Sequence, residues 1–191
     1  MEICCFNALA EIRSRRLIKP NGSNLALGSC GGVRLGVKLA APERAVYVLV
    51  GDGSYLMMNS EIATSVQLGL KLIIVVVDNG GFGCIDRLQR SGGGAAFNNL
   101  FPNGSGVDFA GHARSLGATA SKVSGIADLE AALAAARDAP QTAVIVIETD
   151  PVLSTGAGGA WWDVAIAAVS DRPEVVDARR VYNAALATRG L

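Results

Sequence analysis

Two segments of the chain are apolar at every position rather than at alternate ones. Residues 45–50 read AVYVLV and residues 72–77 read LIIVVV, and a third run, 142–147, reads TAVIVI with one polar residue at its head. Continuous β-branched runs of this length mark strands covered on both faces. Residues 118–123 are a weaker fourth candidate. Between the first two runs, Ile62, Ala63, Val66 and Leu70 recur at helical spacing. Asn59 stands where it could cap that helix, and Glu61 falls in the positively polarised first turn. Asp108 is placed to cap a helix that carries Phe109, Ala113 and Leu116 on one face, and Leu129, Leu133 and Ala136 stripe another that ends near Asp138. Further helical stretches are expected at about 33–40 and 174–186.

Strands that alternate with helices at this spacing predict the α/β class: a three-layer, doubly wound, mainly parallel sheet with helices on both faces. One segment breaks the alternation. Residues 91–106 read SGGGAAFNNLFPNGSG, 16 residues without a periodic pattern, and both a mobile lid and plain disorder are open readings. The chain divides into an atypical segment 1–36, a core 37–150 and an extension 151–191 expected to pack on that core.

Composition narrows the partners. With 17 basic and 17 acidic residues and no basic run longer than Arg15–Arg16, the chain lacks the field that captures nucleic acid or anionic membrane. No apolar run approaches the roughly 20 residues that span a bilayer, and the start has no signal-peptide pattern. A soluble, cytoplasmic protein is expected. Cys4, Cys5, Cys30 and Cys84 show no C-x-x-C spacing and His112 is the only histidine, so free thiols are expected rather than a zinc site.

The chemistry gathers after two of the strands, where open α/β sheets place their ligands. Residues 45–50 run into Gly51-Asp52-Gly53-Ser54, and residues 72–77 into Asp78-Asn79-Gly80-Gly81-Phe82-Gly83. An Asp carboxylate, an Asn side-chain oxygen and a carbonyl freed in a glycine turn are hard oxygen donors of the kind Mg²⁺ accepts. Gly53 and Ser54 lie between a strand end and a helix start, where free N–H groups favour an anion such as a phosphate. Gly-Asp-Gly alone is a common turn. Paired with N-G-G after the next buried strand, it becomes a composite signal.

That pair, Gly51-Asp52-Gly53 followed by Asn79, resembles the cofactor motif of the thiamin diphosphate enzyme superfamily. The flanking text narrows the likeness: residues 51–89, FNNLF at 97–101, VDFAGHARSLGA at 107–118 and GGAWWDV at 158–164 resemble the carboxyl-terminal part of the trihydroxycyclohexane-1,2-dione hydrolase family of inositol catabolism. The resemblance implies thiamin diphosphate and Mg²⁺ as cofactors, with Asp52, Asn79 and the Gly81 carbonyl as metal ligands. Gly51 completes the motif, and Gly53 and Ser54 would hold the diphosphate through their N–H groups. It implies as substrate a small polyol-derived diketone, whose ring opens to 5-deoxy-glucuronate by hydrolysis of a C–C bond. It also implies a homo-oligomer, and an activating glutamate supplied by a pyrimidine-binding domain or subunit. No residue here takes that glutamate's role, since Glu61 is explained by its helix turn, so the chain alone is expected to be inactive.

Two other readings stay open: the small subunit of a split thiamin diphosphate-dependent 2-oxoacid decarboxylase, and a non-catalytic assembly remnant. Residues 29–35 do not follow the family pattern and bear on the second. His112, without a recognisable partner, reads as a surface or satisfied helix histidine, and Cys84 as a small packing residue. Trp161 and Trp162 fit either core packing or closure over a substrate or another domain.

Overall fold

The computed structural model describes residues 23–27, 31–57, 59–151 and 164–188. Among the described residues five strands form one sheet: β1 (Ser23–Leu27), β2 (Ala45–Gly51), β3 (Ile73–Asp78), β4 (Thr119–Val123) and β5 (Ala143–Glu148). Their spatial order is β1-β2-β3-β5-β4, and every pairing is parallel. The helices are α1 (Gly31–Ala40), α2 (Asp52–Met57), α3 (Ser60–Gln67), α4 (Gly83–Ser91), α5 (Phe109–Ser115), α6 (Gly125–Asp138) and α7 (Pro173–Thr188).

The two-sided burial expected of the apolar runs is what the sheet shows. Val46, Val48 and Val50 of β2, with Ile74 and Val76 of β3, face one layer, where Leu35, Tyr55, Ile62, Phe109 and Ala113 pack. Tyr47 and Leu49, with Ile73, Val75 and Val77, face the other, against Leu129, Leu133 and Ala136 of α6. The winding follows from the same division. From β1 through β3 to β4 the chain moves one way across the sheet, with α1, α2, α3 and α5 contributing to the first layer. From β4 it turns back to β5 through α6, on the second layer. A reversal of direction with unchanged crossover hand demands this change of face.

The elements depart from expectation in places. One helix was expected between β2 and β3, but two short ones form, and the first begins at Asp52, directly on the strand end. Asn59 occupies the cap position of α3, yet its side chain makes no capping bond and donates instead to the Leu56 carbonyl. Ser65 is the buried polar residue of α3: its hydroxyl donates to the Ile62 carbonyl (2.7 Å) and pairs with Thr142 Oγ1 (2.8 Å), which also accepts the Leu72 N–H. Strand β1 had no counterpart in the hydrophobic pattern; its partner is β2, from Ser23↔Ala45 to Leu27↔Leu49.

Residues 91–106 form a strap, where the sequence suggested a lid or disorder. Phe82 N donates to Asn99 O (2.7 Å) and Phe101 N to Gly80 O (2.9 Å), which holds the segment against the turn that follows β3. Helix α7 approaches the start of the same segment, where Arg172 Nε donates to Gly93 O (2.8 Å). Residues 155–159, Trp161, Trp162, Cys4, Cys5 and Cys30 lie outside the described residues.

Candidate functional site

Strands β2 and β3 are neighbours, and the register Gly51↔Val77 makes their carboxyl ends level. Asp52 and the Asp78–Asn79 pair therefore leave the sheet side by side. Asp52 is the first residue of α2 and only 1% exposed. Its Oδ2 accepts the Gly81 N–H at 2.6 Å, and the Gly53 N–H also donates to the carboxylate. Burial pushes its pKa up to about 6; the two N–H groups pull the other way, and the neighbouring Asp78 carboxyl, hydrogen-bonded to it, pushes it further up. Among the described residues no Lys or Arg forms an ion pair with Asp52.

Asn79 stands directly after β3. In the orientation that satisfies its surroundings, its amide nitrogen donates to Gly81 O (2.9 Å) and to Asp52 Oδ1 (3.1 Å). Turning the amide over puts its oxygen at the same point, and three oxygens of three kinds then face one another. That is a donor set for a hard divalent cation that keeps open positions for water or phosphate, and a buried carboxylate without a cationic partner calls for such a charge. Among the described residues no three His, Cys, Asp or Glu side chains converge.

Two glycines make room for this arrangement. A Cβ on Gly83 would lie 2.6 Å from the Asn79 amide, and one on Gly53 would lie 2.6 Å from the Phe82 ring. Gly51 ends β2, and Gly53 and Ser54 occupy the first turn of α2, Gly53 buried and Ser54 half-buried. All six residues singled out from the sequence thus lie at this one sheet edge, with Asp52, Asn79 and Gly81 in mutual contact.

His112 has a partner after all. Its Nδ1 lies 2.9 Å from Tyr55 Oη, a bond between residues 57 positions apart that no local pattern announces. Tyr55 is buried edge-on against Phe109, and burial raises its phenol to about 12. The pair ties α5 to helix α2, which begins at Asp52, and does not enter the oxygen cluster. Cys84 is half-buried at the start of α4, with a free thiol. Three groups went unassigned from sequence: Asp78, whose Oδ1 accepts the Gly80 N–H at 3.1 Å, the Phe82 ring, and Asn99–Phe101. Only Asp78 had a readable signal, its place beside Asn79 on the strand end. A cavity of about 290 Å³ lined by Thr119, Ser121, Ala132 and Ala136 lies between β4, β5 and α6, apart from this edge.

Known proteins place this geometry in context. Residues 3–147 match the family model for the thiamine pyrophosphate enzyme, C-terminal TPP binding domain. Curated relatives named 3D-(3,5/4)-trihydroxycyclohexane-1,2-dione hydrolase include one from Shouchella clausii, 36% identical over 88% of this chain and 28% of its own length. Another, from Halalkalibacterium halodurans, is 38% identical over 80% of this chain and 26% of its own. The chain thus spans about a quarter of the length of these relatives. A thiamine diphosphate-dependent 4-hydroxybenzoylformate decarboxylase from Rhodococcus jostii RHA1 superposes with a TM-score of 0.62 at 20% identity, covering 69% of this chain and 30% of that one. Benzoylformate decarboxylase from Polynucleobacter necessarius superposes with a TM-score of 0.57 at 28% identity, covering 65% and 23%. Among the described residues no helix is long and apolar enough to cross a membrane. With its sheet, its strand-end motif and the match over residues 3–147 in agreement, the chain belongs to the C-terminal TPP-binding domain family of thiamine pyrophosphate enzymes.

Proposed function

We propose that this chain is the thiamin diphosphate- and Mg²⁺-holding domain of a C–C bond hydrolase that opens a trihydroxycyclohexane-1,2-dione to 5-deoxy-glucuronate in inositol catabolism. A pyrimidine-binding domain or subunit would complete the site. The observation that carries the reading is the convergence of the Asp52 carboxylate, the Asn79 amide and the Gly81 carbonyl at the ends of β2 and β3. The substrate class rests on the names of relatives 36–38% identical to the chain.

In this reading Asp52, Asn79 and Gly81 would hold Mg²⁺ through three oxygens, a set that leaves room for water or phosphate. Ser54 offers its N–H to the diphosphate from the first turn of α2, where the Gly53 N–H is already given to the Asp52 carboxylate. The Phe82 ring, packed over Gly53, fixes that turn against the loop after β3. When bound, thiamin diphosphate supplies the carbon nucleophile and electron sink that C–C cleavage of a ketone requires. The domain's own contribution is orientation and charge: it holds a buried carboxylate, partly protonated near pH 6, whose charge a bound cation would neutralise.

Isothermal titration of the chain with thiamin diphosphate, with and without Mg²⁺, tests the cofactor half. Mg²⁺-dependent binding that Asp52→Ala abolishes is the expected result. No Mg²⁺-dependent heat at millimolar cofactor would overturn it. The substrate half is tested by assaying the complete enzyme on the cyclic dione and on benzoylformate, with turnover of the dione expected.

A further inference from the structure

Gly81 lies opposite Leu100 in an isolated antiparallel bridge. The bonds of that bridge are made by its neighbours, Phe101 N to Gly80 O (2.9 Å) and Phe82 N to Asn99 O (2.7 Å). In an antiparallel pair of this type the central residue's own N–H and C=O turn away from the partner strand. Here they turn to the cation site: the Gly81 N–H to Asp52 and the Gly81 oxygen to Asn79. The strap thus sets the direction of the ligand carbonyl. Gly81 is buried at φ +140°, and a Cβ there would run into the Asn99 carbonyl, so the close approach requires glycine.

The strap is held in turn from α4. Gln89 Oε1 accepts from Asn99 Nδ2 at 2.8 Å, Gln89 Nε2 donates to the Ala95 carbonyl, and the Gln89 backbone carbonyl accepts the Gly94 N–H at 2.8 Å. One half-buried side chain, six residues into the helix that follows the metal loop, therefore closes that loop, helix and strap into a ring.

We propose that Gln89 and Asn99 are positioning residues of the cation site, which hold residues 99–101 against Gly80–Phe82 so that the Gly81 carbonyl faces the metal. The inference rests on the Mg²⁺ site proposed above, and its test separates the two. In the full 191-residue chain, amide exchange at Phe82 and Phe101 reads the clamp without any cation, and Mg²⁺ titration at saturating thiamin diphosphate reads the site. Gln89→Ala and Asn99→Ala are each expected to speed exchange at both amides and to weaken Mg²⁺ about tenfold. Sheet amides such as Val48, Val76 and Val146 should stay protected. Gln89→Glu, which keeps the oxygen that accepts from Asn99, should restore most of the affinity.

Unchanged exchange at Phe82 and Phe101 would overturn the clamp. Faster exchange with unchanged Mg²⁺ affinity would overturn the positioning role and leave the Mg²⁺ site standing. Wild-type chain that binds no Mg²⁺ would overturn the site itself and the positioning role with it. Should Gln89→Ala also expose the sheet amides, Gln89→Glu against Asn99→Ala decides: equal Mg²⁺ affinities in those two would overturn the proposal.

Discussion

At Asp52 the requirements of folding and of the proposed cation binding oppose each other. Folding buries the carboxyl, with its pKa raised to about 6 from 3.8. The native state therefore holds a proton that the unfolded chain releases between those values. Stability without metal is fullest below about pH 4, falls as pH rises to about 6, and stays low above it, a loss on the order of 2–3 kcal/mol. Asp52→Asn should accordingly stabilise the metal-free chain at pH 7 by about 1–3 kcal/mol in urea unfolding while removing Mg²⁺ binding. A destabilised Asn variant would show that the charged form is the one the fold favours. Mg²⁺ competes with the same proton, so its affinity should drop about tenfold for each unit below pH 6 and level off above it. Gly53 makes a different demand: a methyl group there meets the Phe82 ring at 2.6 Å. Gly53→Ala should cost about 1–3 kcal/mol in thermal unfolding, because the ring must leave the turn it covers. That Asp52, Asn79 and Gly81 meet was readable because their spacing and glycines sit on two buried strands. Gln89 and Asn99 were not, because amide side chains bonding ten residues apart leave no periodic trace.

Among the elements, the strands were legible wherever burial on both faces made them apolar throughout, as in β2, β3 and β5. Strand β1, with the sequence SNLAL, carries no such run, and its strand character comes from pairing with β2. The helix after β2 was misjudged at its start because Asp52 serves two ends at once, first residue of α2 and site carboxylate. Helix α5 was read correctly down to its cap: Asp108 accepts the Gly111 N–H at 2.8 Å. Asp108→Ala should cost about 1 kcal/mol, measured by denaturant titration. Just before β5, Thr142 is the one polar residue of the run 142–147. Its hydroxyl accepts the Leu72 N–H and pairs with Ser65 in a fully buried position. Thr142→Val keeps the shape but strands the Leu72 N–H and leaves Ser65 only its bond to Ile62, and a loss of about 1–3 kcal/mol is expected where a harmless swap would show none.

For the whole molecule, the sheet winds so that its chemistry lies along one open edge. Around that edge Met57 at the end of α2, with Phe97 and Phe101 in the strap, remain 52%, 76% and 43% exposed. The proposed C–C hydrolysis requires that water be admitted only at the hydrolytic step, and these residues leave the edge uncovered. The relatives named as hydrolases are about four times as long as the stretch this chain matches, which is room for the covering domain the proposed function calls for. The 191-residue chain alone, given thiamin diphosphate and Mg²⁺, is therefore expected to bind cofactor and to turn over no cyclic dione. Adding the pyrimidine-binding portion of a relative should restore ring opening, followed as loss of the dione. Exposed apolar side chains at the same edge should also make the isolated chain self-associate in light scattering, and that association should fall when the added portion binds. Turnover by the isolated chain at the rate of the mixture would mean that the edge as it stands suffices, and that the glutamate expected from a second domain has a substitute within these residues.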